Sequence, residues 1–128
     1  MAIAAMNHFT VLTDDVPRTV HFYCNLLGLT DGARPDLGFP GAWLYAGDAA
    51  VLHVVGSQPR DKLKPGVIDH MAFSATGLSE TLAMLITYNI EHTCRRQTGT
   101  GTWQVFLFDP NGARVELDFA ADEVQTRR

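Results

Sequence analysis

Basic residues are few and scattered in this chain. Ten Lys and Arg stand against fourteen Asp and Glu, a formal net charge of −4. No cluster supplies the positive surface that a phosphate backbone requires, so nucleic acid is excluded as a partner. Long apolar runs are missing too. No stretch approaches the roughly 20 residues that span a bilayer, which excludes a membrane role. Cysteine is limited to Cys24 and Cys94, too few for a disulfide framework. The opening Met1 to Met6 has no charged n-region and is too short for a secretion signal. Reduced thiols and a cytoplasmic location are therefore expected. What is present is an ordinary globular composition: 128 residues, 46% hydrophobic and 19% charged. That length suits one domain, or two small modules sharing a core.

The same order of elements occurs twice. The β-branched and aromatic run Asn7 to Leu12 reads as a strand. Asp14 or Asp15 can N-cap a helix starting near Val16-Pro17, with Val20, Tyr23, Leu26 and Leu27 as its apolar stripe and Gly28 as its stop. A Gly- and Pro-rich loop from Gly32 to Gly41 precedes strands over 42–46 and 50–55. In the second half Ile68 to Phe73 reads as the strand, and Thr76 or Ser79 starts a helix with the stripe Leu78, Leu82, Leu85 and Ile86, ending at Asn89. Strands follow over 90–94, 103–108 and 113–119, the last two joined by the turn Asp109-Pro110-Asn111-Gly112. The pattern predicts an α+β fold of two βαβββ modules, 6–57 and 67–120, within one domain, with 121–128 as a frayed tail.

Aligning the halves sets His8 opposite His70 at an offset of 62, and His53 opposite Glu116 at an offset of 63. Trp43 falls opposite Phe106 and Tyr45 opposite Phe108. Alternation places His8 on a face with Thr10, His70 with Ala72 and Ser74, and Glu116 with Arg114 and Asp118, while the apolar residues share the opposite faces. Any one of these side chains alone is equally a solvated strand residue. Jointly, two His and a Glu from separate strands suit a divalent ion such as Zn, Ni, Fe, Mn or Co, with coordination positions left open for substrate. If the modules pair about a pseudo-two-fold axis, all four ligand-type residues converge.

These residues resemble a family. The His8 strand, Phe22-Tyr23-Cys24-Asn25-Leu26-Leu27-Gly28-Leu29, Ile68-Asp69-His70-Met71-Ala72-Phe73 and Asp109-Pro110-Asn111-Gly112-Ala113-Arg114-Val115-Glu116-Leu117 are similar to the vicinal oxygen chelate superfamily. It includes glyoxalase I, fosfomycin-resistance thiol transferases, extradiol dioxygenases and bleomycin-resistance proteins. The resemblance implies one cupped mixed sheet around a metal, with helices on its outer face. It also implies metal ligands at His8, His70 and Glu116. His53 then stands as a fourth ligand or an acid/base group, and Glu116 as a catalytic as well as a ligating carboxylate. A homodimer acting on a small molecule with adjacent oxygens is implied as well.

Departures from the family pattern narrow the activity. Extradiol dioxygenases carry Tyr at the Phe106 position and His shortly before it, where Gln97, Thr98 and Gly99 stand. No fosfomycin-type potassium loop is recognisable, and His53 replaces an acidic ligand common in glyoxalase I. The leading expectation is a metal-dependent lyase, isomerase or transferase, most like lactoylglutathione lyase, whose metal serves as a Lewis acid. An Fe(II) ring-cleaving dioxygenase and a metal-free, ligand-sequestering protein of the bleomycin-resistance kind are the alternatives. Trp43, Tyr45, Gln104, Phe106 and Arg114 are the substrate-binding candidates. Aromatic residues beside strands also serve as core, and Arg114 is as well suited to a salt bridge with a carboxylate.

Overall fold

The computed structural model describes residues 1–125. They form two units, Met1–Lys64 and Pro65–Arg128, the last three residues of the second lying outside the description. Hydrogen bonding divides the strands into two four-stranded mixed sheets, one per unit.

In the first unit β1 (Phe9–Leu12) leads into α1 (Val16–Val20). Asp15 caps the helix, its carboxylate accepting from the Arg18 N–H at 3.1 Å, and Pro17 sits in the first turn, where its missing N–H costs nothing. The helix widens into a π-helical segment, His21–Leu26, with the Leu27 N–H reaching back to the Phe22 carbonyl. Gly28, at φ +86°, ends it in a conformation that side chains resist. β2 (Thr30–Gly32), β3 (Gly41–Ala46) and β4 (Ala49–Val55) complete a sheet of order β1-β4-β3-β2, parallel at β1/β4 and antiparallel elsewhere. Thr30-Asp31-Gly32 carries no strand pattern of its own. It is extended because β3 offers it partners, a tertiary effect that local propensity does not register.

The second unit repeats this order with β5 (Met71–Ala75), α2 (Leu78–Thr87), β6 (His92–Arg96), β7 (Trp103–Phe108) and β8 (Arg114–Phe119), in sheet order β5-β8-β7-β6. The repeat extends to the register. Trp43 pairs with His53 as Phe106 pairs with Glu116, and Thr10 faces His53 as Ala72 faces Glu116. At the β7–β8 turn Asp109 Oδ1 accepts from the Asn111 and Ala113 N–H groups, both at 2.8 Å.

Alternation sets each core. Leu44, Leu52 and Val54 are buried in the first unit, and Val105, Leu107, Val115, Leu117 and Phe119 in the second. Leu78, Leu82 and Leu85 bury the face of α2, but Ile86, counted in that stripe from spacing, is 72% exposed. Two further expectations fail at the ends of α2 and of the chain. Neither Thr76 nor Ser79 caps the helix. Its N-cap is Gly77, without a side chain, and the Glu123 carboxylate accepts from the Gly77 and Leu78 N–H groups at 3.1 and 2.7 Å. The segment expected to fray is therefore docked as far as it is described. Ser79 Oγ donates to the Val124 carbonyl, Trp103 Nε1 donates to the Glu123 carbonyl at 2.8 Å, and Arg96 donates to the Ala121 carbonyl. The rest of that tail, 126–128, lies outside the described residues.

Candidate functional site

His70 immediately precedes β5, and Glu116 lies on the neighbouring strand β8. His70 Nδ1 lies 2.7 Å from Asp69 Oδ2, and its Nε2 lies 2.9 Å from Glu116 Oε1. Glu116 is 6% exposed, and its Oε2 accepts from the Gln104 side-chain amide at 3.2 Å. Burial alone would raise the Glu116 pKa. Hydrogen bonds from Asp118, Gln104 and His70, with the charge of His70, outweigh it and hold the carboxyl below its ordinary value. Asp118 is pushed up to about 6, first by burial and then by the hydrogen bond to, and charge of, Glu116. Its Oδ1 is buried without a hydrogen-bond partner.

Arg114 belongs to this network rather than to a free anion pocket. Its guanidinium donates to Asp69 Oδ2 at 2.8 Å and lies 4.4 Å from the Phe106 ring centroid. The salt bridge is thus made with Asp69. Hydrogen bonds from His70 and Arg114 hold the exposed Asp69 carboxyl below its usual range. Phe106, largely buried, meets His70 in a T-shaped contact with centroids 5.6 Å apart. Gln104 is likewise occupied, donating to Glu116 and accepting from Arg95 Nε at 3.3 Å.

The first unit places different chemistry on the matching strands. His8 Nδ1 lies 2.7 Å from Asn7 Oδ1, repeating with a neutral partner the tie between Asp69 and His70. The His8 ring stacks on His53 at 3.7 Å and 13°, and His53 stacks on Trp43 at 4.1 Å and 11°. Burial lowers the His53 pKa, as do the neighbouring His8 and Arg34, against a raising hydrogen bond that the imidazole N–H donates to the Ala50 backbone carbonyl. His53 is therefore a neutral imidazole at pH 7. Parallel stacked rings send their in-plane lone pairs side by side, so a ligand role for His53 would require its ring to turn. Tyr45 is engaged within its own unit. Its hydroxyl donates to the Ala33 carbonyl and its ring covers Gly32, where a Cβ would stand 2.7 Å away.

Among the described residues no group of three or more His, Cys, Asp or Glu is arranged to hold a metal ion. The ligand-type side chains instead form two pairs, His70/Glu116 and His8/His53. The first pair fits a metal. Two donors on one ion with bonds of about 2.1 Å stand about 3.0–3.4 Å apart, close to the 2.9 Å between His70 Nε2 and Glu116 Oε1. A ligating imidazole also typically gives its other N–H to a carboxylate, as His70 does to Asp69. Sequence reasoning singled out neither Asn7 nor Asp69 for this role, although the signal was available: each directly precedes a histidine, at the same offset of 62.

Comparison with known proteins agrees with the fold and the motifs. The family model of the Glyoxalase/Bleomycin resistance protein/Dioxygenase superfamily matches residues 5–117, and the chain belongs to that superfamily. It is 25% identical over 122 residues to glyoxylase I 4 of Arabidopsis thaliana, covering 90% of this chain and 70% of the relative. It is 28% identical over 118 residues to glutathione transferase FosA of Serratia marcescens, covering 90% of this chain and 80% of that protein. A glyoxalase family protein from Bacillus anthracis has the same fold, with a TM-score of 0.75 at 21% identity over 94% of this chain and 98% of that one. No helix among the described residues is long and apolar enough to cross a membrane.

Proposed function

We propose that the chain is a metal-dependent enzyme of the glyoxalase type, a lyase, isomerase or transferase acting on a small substrate with vicinal oxygens, lactoylglutathione lyase being the nearest description. The observation that carries this reading is His70 held between Asp69 and Glu116, with its Nε2 2.9 Å from a buried carboxylate. One Zn, Ni, Fe, Mn or Co ion would be held by His70 and Glu116, with His8 as the further ligand the family pattern implies. Such an ion, when bound, supplies Lewis-acid stabilisation of negative charge developing on the substrate oxygens.

The remaining roles fall to this chain's own groups. Asp69 takes the His70 Nδ1–H, so that a bound ion could displace the proton that Nε2 shares with Glu116. The Gln104 amide orients Glu116 through Oε2, and Asp118, its pKa pushed up to about 6, can take up or release a proton beside the same carboxylate. Neutral His53, a candidate catalytic base, can accept a proton at a ring nitrogen near pH 7. Trp43 and Phe106 supply flat apolar surface beside the two histidine sites. Against the Fe(II) dioxygenase reading stands the phenyl ring of Phe106, which has no hydroxyl to move a proton.

Metal analysis of protein purified without chelator tests the proposal. About one ion per chain, lost in His70→Ala, is expected. No bound ion, and no thermal shift with Zn, Ni, Mn or Fe, would overturn it and leave the ligand-sequestering reading. Oxygen uptake with catechols under Fe(II) would move the assignment to a dioxygenase.

A further inference from the structure

The two described arginines that are half-buried differ in one respect. Arg114 has the Asp69 carboxylate at 2.8 Å, whereas no carboxylate lies within salt-bridge distance of Arg34 among the described residues. The Arg34 guanidinium is held in place. Its Nη2 donates to the Phe39 carbonyl at 3.0 Å and the group lies 5.0 Å from the Phe39 ring centroid. It also covers Gly41, where a Cβ would stand 2.9 Å from Nη2 and 2.3 Å from the Val54 carbonyl oxygen, so no larger residue fits. Its Nε is buried and has no hydrogen-bond partner.

The repeat explains what is missing. Gly32 faces Trp43 as Thr93 faces Phe106, so counting two residues on makes Arg34 the counterpart of Arg95, and Gly41 the counterpart of Gln104. In the second unit Gln104 Oε1 accepts from Arg95 Nε. In the first, Gly41 has no side chain, and Arg34 Nε loses that acceptor. A half-buried cation without a counter-charge is costly unless something else supplies the charge. Gly41 and Trp43 lie on the same face of β3, about 7 Å apart along the strand, and Trp43 stacks on His53. Arg34 therefore borders the face that carries the ring stack.

We propose that Arg34 is an anion-binding residue: it receives a carboxylate or phosphate group of a small ligand lying on the open face of the first sheet, beside Trp43. The inference goes beyond the metal assignment and does not depend on it, since every group it uses belongs to the first unit and none is a metal ligand in that assignment. It adds a substrate property, a negatively charged oxygen group set apart from the oxygens a metal would take.

The test uses the full chain freed of divalent ions, with the Trp43 indole N–H signal in two-dimensional NMR, assigned through Trp43→Phe, as the readout. Benzoate and inorganic phosphate are the probes, and benzamide is the uncharged match to benzoate. Saturable shifts with benzoate and phosphate but not benzamide are expected. Arg34→Gln should weaken binding at least about tenfold, the scale of a lost charge-assisted hydrogen bond. Arg34→Lys, which keeps the charge and provides a reading if the Gln variant does not fold, should fall between. Arg95→Gln, which alters the cation that already has an acceptor, should bind as the unmodified chain does. No saturable shift, an equal response to benzamide, or unchanged binding in both Arg34 variants would overturn the inference. Because metal is absent throughout, this result and the metal analysis can fail separately.

Discussion

The two units share a topology and a strand register and differ at the positions that carry chemistry. Where the second has Asp69, Gln104, Phe106 and Glu116, the first has Asn7, Gly41, Trp43 and His53. Three of these exchanges take an acidic or amide side chain out of the first unit, leaving a neutral amide, a bare backbone and an imidazole, and the fourth enlarges a ring. The outcome is a carboxylate–imidazole–carboxylate chain in one unit and a stack of three aromatic rings in the other. A duplicated scaffold thus positions side chains equivalently while leaving their electrostatics free to diverge. The second unit suits a cation at His70/Glu116, and the first suits flat and anionic groups.

The strongest way to break that comparison is to remove the carboxylate. Glu116→Gln should lower Zn affinity by more than the roughly 10–100-fold typical of losing an outer partner of a ligand, measured by chelator competition, while His53→Gln should change it by less than about tenfold. Equal losses in the two variants would erase the distinction between the units. Next in size is the exchange of the residues that tie the histidines. Asp69→Asn should weaken Zn binding by about tenfold, because a neutral partner makes His70 Nε2 less basic. Asn7→Asp should strengthen binding if His8 is a ligand, because it gives His8 the partner His70 already has.

Much of this contrast was legible in the residues. The repeat, the strand faces, the ends of the helices at Gly28 and Asn89, and the equivalence of Trp43 with Phe106 and of His53 with Glu116 all follow from local chemistry and alternation. What was not legible depends on partners distant in the chain. β2 is three residues long and extended only because β3 lies beside it. Arg114 and Asp69 are 45 positions apart and meet through the parallel pairing of β5 with β8. Arg34 escapes notice in sequence because its significance is a missing acceptor, visible only once Gly41 is set against Gln104.

A smaller effect concerns how α2 begins. Its counterpart α1 is capped locally by Asp15, whereas α2 is capped by Glu123 from 45 positions away. Glu123→Ala should cost about 1 kcal/mol, the usual worth of an N-cap, read from the urea midpoint. Asp15→Ala should cost a similar amount, since one local bond and one distant carboxylate satisfy the same kind of orphan N–H group. A Glu123→Ala chain as stable as the parent would mean that the tail contributes no capping energy.

The smallest expected effect is a difference in how the two units answer to acid in the metal-free chain. His53 has a lowered pKa, so below its ordinary value of 6.5 the unfolded chain takes the proton first. This group's contribution is complete above that pH and is lost as pH falls through its folded pKa. Asp118 has the opposite sign. Its folded pKa of about 6 lies above the ordinary value of 3.8, so between the two the folded chain keeps a proton that the unfolded chain releases. Stability from this group is present below pH 3.8 and declines as pH rises towards 6. Asp118→Asn mimics the protonated form, so its melting temperature relative to the parent should rise between pH 4.5 and pH 7. His53→Gln removes a group that penalises acid, so its relative melting temperature should rise as pH falls from 7 to 5. If both variants shifted in the same direction with pH, the assignment of a neutral imidazole to one unit and a proton-holding carboxyl to the other would be wrong.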